Sequence, residues 1–247
     1  RNTAPCLAYV SAKIAVEDPD AAVVVSPSDH LVADTEGFAA VIRRGLEYVS
    51  GGERILTLGM KATRPETGYG YIQAVETVDG NDIFRLDAFK EKPDLATAQK
   101  YLDAGCFTWN SGIFLWKVQT ILSELHRYAP SVTDVIDRIV PSLFTDGEQE
   151  AVNALFPLCE KISIDYAVME HTRLAAVLPA EFGWSDLGTW GSLRSLSPKD
   201  EDGNAVSGGQ VRLVDTKGCV VRMPEGKQVV IQGLEDCIVA EHDGVLL

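Results

Sequence analysis

The sequence predicts an α/β fold: a mostly parallel sheet flanked by helices, followed by a small all-β appendage at the C-terminal end. Three observations predict it. Residues 21–25 form a short, continuously apolar run, the pattern of a strand buried on both faces. A helical pattern follows, with Phe38, Ile42, Leu46 and Val49 on one face and Gly51-Gly52 closing it, and then a second apolar strand at 55–60. Strand, helix and strand at that spacing form a βαβ unit, whose strands run parallel under a covering helix. After about residue 200 the texture changes: short apolar pieces alternate with Gly and Asp turns roughly every 8–10 residues, the rhythm of a β-helix or sandwich fragment.

The elements follow in chain order. Thr3-Ala4-Pro5 starts a helix, with a hydroxyl cap and a proline in the first turn. Leu7, Val10 and Ile14 give that helix its apolar face, and Asp18-Pro19 stops it. The first strand ends in Ser26-Pro27-Ser28-Asp29-His30. Further strands are expected at 71–75, 83–89 and 113–116, and helices at 95–102, 118–128 and 164–172. A short strand at 174–178 precedes Gly183-Trp184-Ser185-Asp186. The apolar pieces of the tail are 211–214, 219–223, 229–231 and 237–240. Ser197-Pro198-Lys199-Asp200-Glu201-Asp202-Gly203-Asn204 reads as a linker, so domains are expected at 1–196 and 204–247.

Composition narrows the function. At 247 residues the chain is long enough to bury roughly 70–75% of its unfolded surface without staples. Its 46% hydrophobic and 23% charged residues exclude disorder and fibrous repeats. No apolar run approaches the roughly 18 residues of a membrane span. A net charge of −14 argues against nucleic acid and anionic membrane as partners. A small phosphorylated substrate stays compatible, provided that a metal or a local cation overrides the repulsion. Five cysteines, odd in number and without a CxxC pair, read as free thiols of a reducing cytoplasm. Arg1-Asn2-Thr3-Ala4-Pro5 is neither a start methionine nor a secretory signal, so the chain is expected to begin inside a longer protein.

In an open α/β sheet, ligands bind beyond the carboxyl ends of the strands, and several polar residues fall there. Asp29 can hold a divalent metal over a phosphate, or simply satisfy amides in its turn. His30 beside it reads as a structural hydrogen-bond partner. Gly68-Tyr69-Gly70-Tyr71 either lets backbone amides approach a ligand or forms a hairpin turn with core tyrosines. In Phe89-Lys90-Glu91-Lys92-Pro93, Glu91 can accept bonds from sugar hydroxyls and Lys92 can neutralise a phosphate; a solvated charged turn is the alternative. Asn110 and Ser111 stand among aromatics, as a sugar contact or as a bulge. Asp186 supplies a second carboxylate after a short strand. Ser-His-Asp sets, HExxH, Walker loops and GxGxxG are absent from these segments, and four histidines make a His-based metal site unattractive.

In order along the chain, Arg1-Asn2-Thr3-Ala4-Pro5, Pro27-Ser28-Asp29-His30, Thr67-Gly68-Tyr69-Gly70-Tyr71-Ile72, Phe89-Lys90-Glu91-Lys92-Pro93, Trp109-Asn110-Ser111-Gly112-Ile113-Phe114, Ser163-Ile164-Asp165-Tyr166-Ala167-Val168-Met169-Glu170 and the segment from Gly183 to Trp190 resemble the bacterial mannose-1-phosphate guanylyltransferases (GDP-mannose pyrophosphorylases). The resemblance covers nearly the whole chain. It implies a Rossmann-like catalytic domain of the nucleotide-diphospho-sugar transferase type with a β-helical C-terminal piece, and transfer of GMP from GTP to mannose 1-phosphate. Residue by residue, it implies that Asp29 and Asp186 hold a catalytic Mg²⁺. Glu91 would bind sugar hydroxyls, Lys92 the sugar phosphate, and Asn110 with the backbone around Gly70 would line the mannose pocket. Asn2 and Thr3 would stand near the nucleotide base, and Asp165 would be a weaker site contact.

Two departures from the family pattern stand out. The family's GGxGTRLWP-type phosphate loop belongs upstream of Asn2 and is not in the sequence, and His171 stands where the family has Lys. Two alternatives stay open: a related transferase using another sugar 1-phosphate or nucleotide, and a non-catalytic subunit that senses nucleotide sugars. Val229-Val230-Ile231 and Val245-Leu246-Leu247 offer apolar edges for a homodimer, or for packing on the chain's own catalytic domain.

Overall fold

In the computed structural model, which describes residues 1–80 and 82–247, the elements run α1 (Thr3–Glu17), β1 (Ala22–Val25), β2 (Leu31–Val32), α2 (Thr35–Ser50), β3 (Ile55–Lys61), β4 (Tyr71–Asp79), β5 (Ile83–Lys90), α3 (Leu95–Ala104), β6 (Phe107–Lys117), α4 (Val118–Tyr128), α5 (Pro130–Ile139), α6 (Glu148–Leu155), β7 (Ala175–Ala180), β8 (Trp184–Ser185), α7 (Trp190–Leu196), β9 (Ala205–Ser207), β10 (Gln210–Val214), β11 (Val220–Arg222), β12 (Gln228–Gln232), β13 (Ile238–His242) and β14 (Val245–Leu246). The chain divides into two units: residues 1–28 with 32–184, and residues 29–31 with 185–247. Residues 190–196, which the sequence places within the first domain, form α7 and group with the second unit.

The first unit is built on a six-stranded sheet in the order β1-β6-β3-β7-β5-β4. Its strand pairing corrects the sequence expectation of a mostly parallel sheet. Among the described residues, only β3 and β7 pair in parallel in this sheet; β1–β6, β3–β6, β4–β5, β4–β6 and β5–β7 are antiparallel. The βαβ unit does exist in direction, because β1 and β3 both run opposite to β6. However, β6 lies between them, an insertion that the local pattern of residues 21–60 cannot reveal.

Two further corrections have the same origin. Strand β1 is an edge strand, partly exposed along its length with Val24 facing solvent, not buried on both faces. The strand with that burial is β3, covered at each position except Lys61. Helix α1 only partly covers the Leu7, Val10 and Ile14 face, of which Leu7 packs against the core. It buries the small side chains of Ala4, Ala8, Ser11 and Ala12, while Val10 is exposed. Small residues at that spacing let neighbouring helices approach closely.

Apolar side chains fill both faces of the sheet. One core joins α1, α4 and α5 to Ile55, Ile72, Phe114 and Trp116. The other joins Tyr48 and Val49 of α2 and Ala98 of α3 to Leu56, Leu58, Ile113 and Leu115. The helix ends are set locally: Asp34 accepts from the Gly37 amide at 2.9 Å and Asp94 from the Thr97 amide at 2.8 Å, each capping a helix start.

In the second unit the chain alternates between two parallel ladders, β9-β11-β13 and β10-β12, and β14 closes antiparallel on β13. Cys219, Val221, Met223, Ile231 and Val239 form its core. Of the two apolar edges read from the sequence, Val245, Leu246, Leu247 and Val230 are exposed, whereas Ile231 is buried.

The fully buried Leu58 anchors the α2 side of the sheet. Leu58→Ala is expected to cost about 2–5 kcal/mol through lost burial and the cavity it leaves. A urea titration would read this as a lower midpoint at unchanged slope.

Candidate active site

Strand β6 carries the centre of the site through an irregularity. Between the pairs Thr57–Phe114 and Gly59–Asn110, two steps along β3 face four along β6. The extra residues bulge out, and Gly112 takes a φ of 71°, a left-handed conformation that glycine adopts without strain. The bulge is braced from within: the Ser111 hydroxyl donates to the Leu58 carbonyl at 2.8 Å and accepts from the Ile113 amide at 3.2 Å. The two readings of Asn110-Ser111-Gly112, bulge and ligand contact, are therefore compatible, because the bulge is what aims Asn110.

Asn110 is held at its oxygen and offered at its nitrogen. Its Oδ1 accepts from the Gly112 amide and from the Thr57 hydroxyl, both at 3.2 Å. Its Nδ2 donates to Asp165 Oδ1 at 3.1 Å. Its backbone amide donates to the Gly70 carbonyl at 2.8 Å. Gly70 in turn lies against Glu91: a Cβ on Gly70 would stand 2.6 Å from Glu91 Oε2 and 3.4 Å from the Asn110 Cβ. Any larger residue would push the carboxylate away. Gly70, Glu91, Asn110 and Asp165 thus converge from four separate segments.

Glu91 is largely enclosed, with 14% of its side chain exposed, and its Oε1 lies 3.2 Å from Lys92 Nζ. The Lys92 ammonium itself reaches solvent. Lys92 has a φ of 43°, unusual for a residue with a side chain. Asp165 opens a π-type turn, Asp165–Met169, a distortion often found where function places a side chain. Burial, reinforced by the charge of Glu91, pushes the Asp165 carboxyl up to about 6; the hydrogen bond from Asn110 opposes that shift.

Asn2 and Thr3 tie the start of α1 to the segment entering this turn. Asn2 Oδ1 accepts from the Thr3 amide at 2.8 Å, and Thr3 Oγ1 accepts from the Ile164 amide at 2.8 Å, one residue before Asp165. His171 follows the π-type turn, exposed, with its ring 5.8 Å from that of Tyr128.

The second unit holds the remaining candidates. Asp29 is exposed, and Asp186 is half-buried with its Oδ1 accepting from the Gly188 amide at 3.0 Å. Burial lowers the pKa of His30, and the charges of Asp29 and Asp186 work against that shift. Both carboxylates therefore lie within electrostatic reach of one imidazole. Leu187, next to Asp186, has a φ of 53°. Among the described residues, no group of three or more His, Cys, Asp and Glu side chains is arranged to hold a metal.

The sequence reading missed Thr57, whose buried hydroxyl fixes Asn110. The available signal was a lone polar residue in the middle of the apolar strand β3.

The fold and this cluster define a class. Residues 1–203 match the nucleotidyl transferase family model, and the chain belongs to that family. Over 249 residues it is 37% identical to the alginate biosynthesis protein AlgA of Pseudomonas aeruginosa, covering all of this chain and 51% of that protein. It is 36% identical to the mannose-1-phosphate guanylyltransferase of Escherichia coli K12, again over all of this chain and 52% of the relative. The chain therefore spans about half the length of the curated relatives it matches. Among solved structures, a mannose-1-phosphate geranyltransferase from Thermus thermophilus superposes with a TM-score of 0.83 at 30% identity, over all of this chain and 70% of that one.

The coupling of the two carboxyls is measurable. Asp165 binds its proton more tightly in the folded chain, at about 6, than its ordinary 3.8. Its contribution to stability is therefore fully present below about pH 4 and lost as the pH rises towards 6. Asp165→Asn should flatten that slope. Glu91→Gln, which removes a like charge, should lower the Asp165 value in a carboxyl-carbon NMR titration.

Proposed function

We propose that this chain carries the catalytic part of a mannose-1-phosphate guanylyltransferase, which transfers GMP from GTP to mannose 1-phosphate and gives GDP-mannose and pyrophosphate. The observation that carries the proposal is the convergence of Gly70, Glu91, Asn110 and Asp165 in a nucleotidyl transferase fold. Two carboxyl groups and a carboxamide beside the side-chain-free backbone of Gly70 suit a ring of sugar hydroxyls, which both donate and accept. The names of the curated relatives support the sugar and the nucleotide.

A phosphate oxygen of the sugar 1-phosphate attacks the α-phosphorus of the nucleotide, and pyrophosphate leaves in line. The attacking oxygen is already ionised, so no general base is required. What the protein contributes is position and neutralisation of charge. Glu91 and Asn110 orient the sugar by its hydroxyls, with the Gly70 backbone as a third contact. Lys92, anchored beside Glu91 with its ammonium exposed, supplies positive charge to the sugar phosphate. Thr3 braces the Asp165 turn, and Asn2 holds the start of the helix near the nucleotide.

The donor set fits magnesium. Asp29 and Asp186 are hard oxygen ligands, and Mg²⁺ commonly takes one or two protein carboxylates and completes its shell with water and phosphate oxygens. When bound there, the ion would supply charge masking between the two anionic substrates.

The alternating parallel strands of the tail are read as a short β-helix. The exposed Val230 and Val245-Leu246-Leu247 support pairing of two copies through it. The five unpaired cysteines support a reducing, cytoplasmic setting.

Asp186→Asn in the full-length protein should lower kcat by more than about 10²-fold, the scale of one lost electrostatic contact in catalysis. Its thermal midpoint should stay near that of the parent, and retained turnover in a folded variant would remove Asp186 from the mechanism. A panel of four nucleoside triphosphates against several sugar 1-phosphates should single out GTP with mannose 1-phosphate.

A further inference from the structure

We infer that Arg64 is a positioning residue for the sugar site: by gripping Glu66 and lying against Trp109, it sets the Gly70 backbone against Glu91 and Asn110. This rests on the sugar-phosphate reading above. The segment between β3 and β4 runs through residues 62–70 without helix or strand, so side chains must supply its order. Arg64 meets Glu66 Oε2 with Nε at 3.1 Å and with a terminal nitrogen at 3.0 Å. That leaves Glu66 Oε1 to accept from the Gly68 amide at 3.1 Å, while the Glu66 carbonyl accepts from the Tyr71 hydroxyl at 2.9 Å. Between Arg64 and Glu66, the Glu66 amide donates to the Arg64 carbonyl at 2.9 Å and closes a γ-type turn around Pro65, whose ring fixes φ near the value such a turn needs.

On its other side the guanidinium carbon lies 5.1 Å from the Trp109 ring centre and 6.0 Å from that of Tyr69. The two rings meet edge to face at 5.1 Å. Trp109 directly precedes Asn110, and Tyr69 directly precedes Gly70. One cation therefore binds together the two peptide segments that deliver two of the site residues. The position calls for arginine, because its planar fork bonds a carboxylate while its face lies on aromatic rings, and lysine has neither property. The tolerance is small: Gly70 has no room for a Cβ beside Glu91, and its carbonyl already holds the Asn110 amide.

The test uses the full-length protein with Arg64→Lys and Glu66→Gln. Arg64→Lys keeps the charge but loses the fork and the flat face. The KM for mannose 1-phosphate should rise about tenfold or more, as expected for a loosened substrate contact, while the KM for GTP and the thermal midpoint stay near those of the parent. The double variant should be no worse than the poorer single one, since the two side chains act as a unit. Hydrogen exchange across residues 64–72, which needs no substrate, should quicken in both variants and stay unchanged elsewhere. An unchanged sugar KM in folded Arg64→Lys, or an equal rise in both KM values, would overturn the inference. If the parent protein turns over no sugar phosphate, the functional reading fails instead, and the exchange result alone then decides the role of Arg64.

Discussion

The hydrogen bond from Asn110 to Asp165 is the constraint on which the rest of the first unit's site depends. It joins a bulged strand to a π-type turn far along the chain, and each partner is fixed from behind. Asn110 cannot rotate without breaking its contacts to Thr57 and Gly112. Asp165 sits in a turn whose preceding residue is tied by its amide to Thr3. The arrangement also keeps two carboxyl groups, Glu91 and Asp165, in a partly dry pocket. That raises the affinity of Asp165 for its proton.

An acidic chain that acts on two anions, as proposed above, has to do so through local charge. The net charge of −14 is a sum over the whole chain, whereas a transferred phosphoryl group responds mainly to the nearest ions. Lys92 and a divalent ion held by Asp29 and Asp186 would be local exceptions in a repulsive field. Of the seven non-glycine residues with positive φ among the described residues, Asn2, Lys92 and Leu187 coincide with, or adjoin, residues singled out for function, whereas Phe144, Asp215, Asp236 and Asp243 do not. Backbone strain of this kind persists only where the surroundings impose it.

Part of the fold was legible in the sequence. Helix α4 keeps the bounds its pattern predicted, because its apolar residues repeat at 3.6 and its neighbours end it. Of the candidate residues, Asp29, Glu91, Lys92, Asn110 and Asp186 stand out in the sequence because each is a polar residue that a turn or apolar strand makes conspicuous, whereas Asn2, Thr3 and Asp165 are pointed to only by the family resemblance. Sheet order was not. Strand β6 enters between β1 and β3 from residues 107–117, and neither flanking strand carries a local trace of that insertion. The apolar face of α1 was misread because burial there follows closeness of packing, for which alanine and serine are better suited than valine. Thr57 was passed over because a hydroxyl in a core strand acquires meaning only once its partner is known.

The decisive measurement is a crystal structure of the full-length protein with mannose 1-phosphate. Sugar hydroxyls are expected within hydrogen-bond distance of Glu91 and the Asn110 carboxamide, with the ring packed on the Gly70 backbone. A sugar bound elsewhere, with Glu91, Asn110 and Asp165 left as they stand in the free protein, would contradict that expectation.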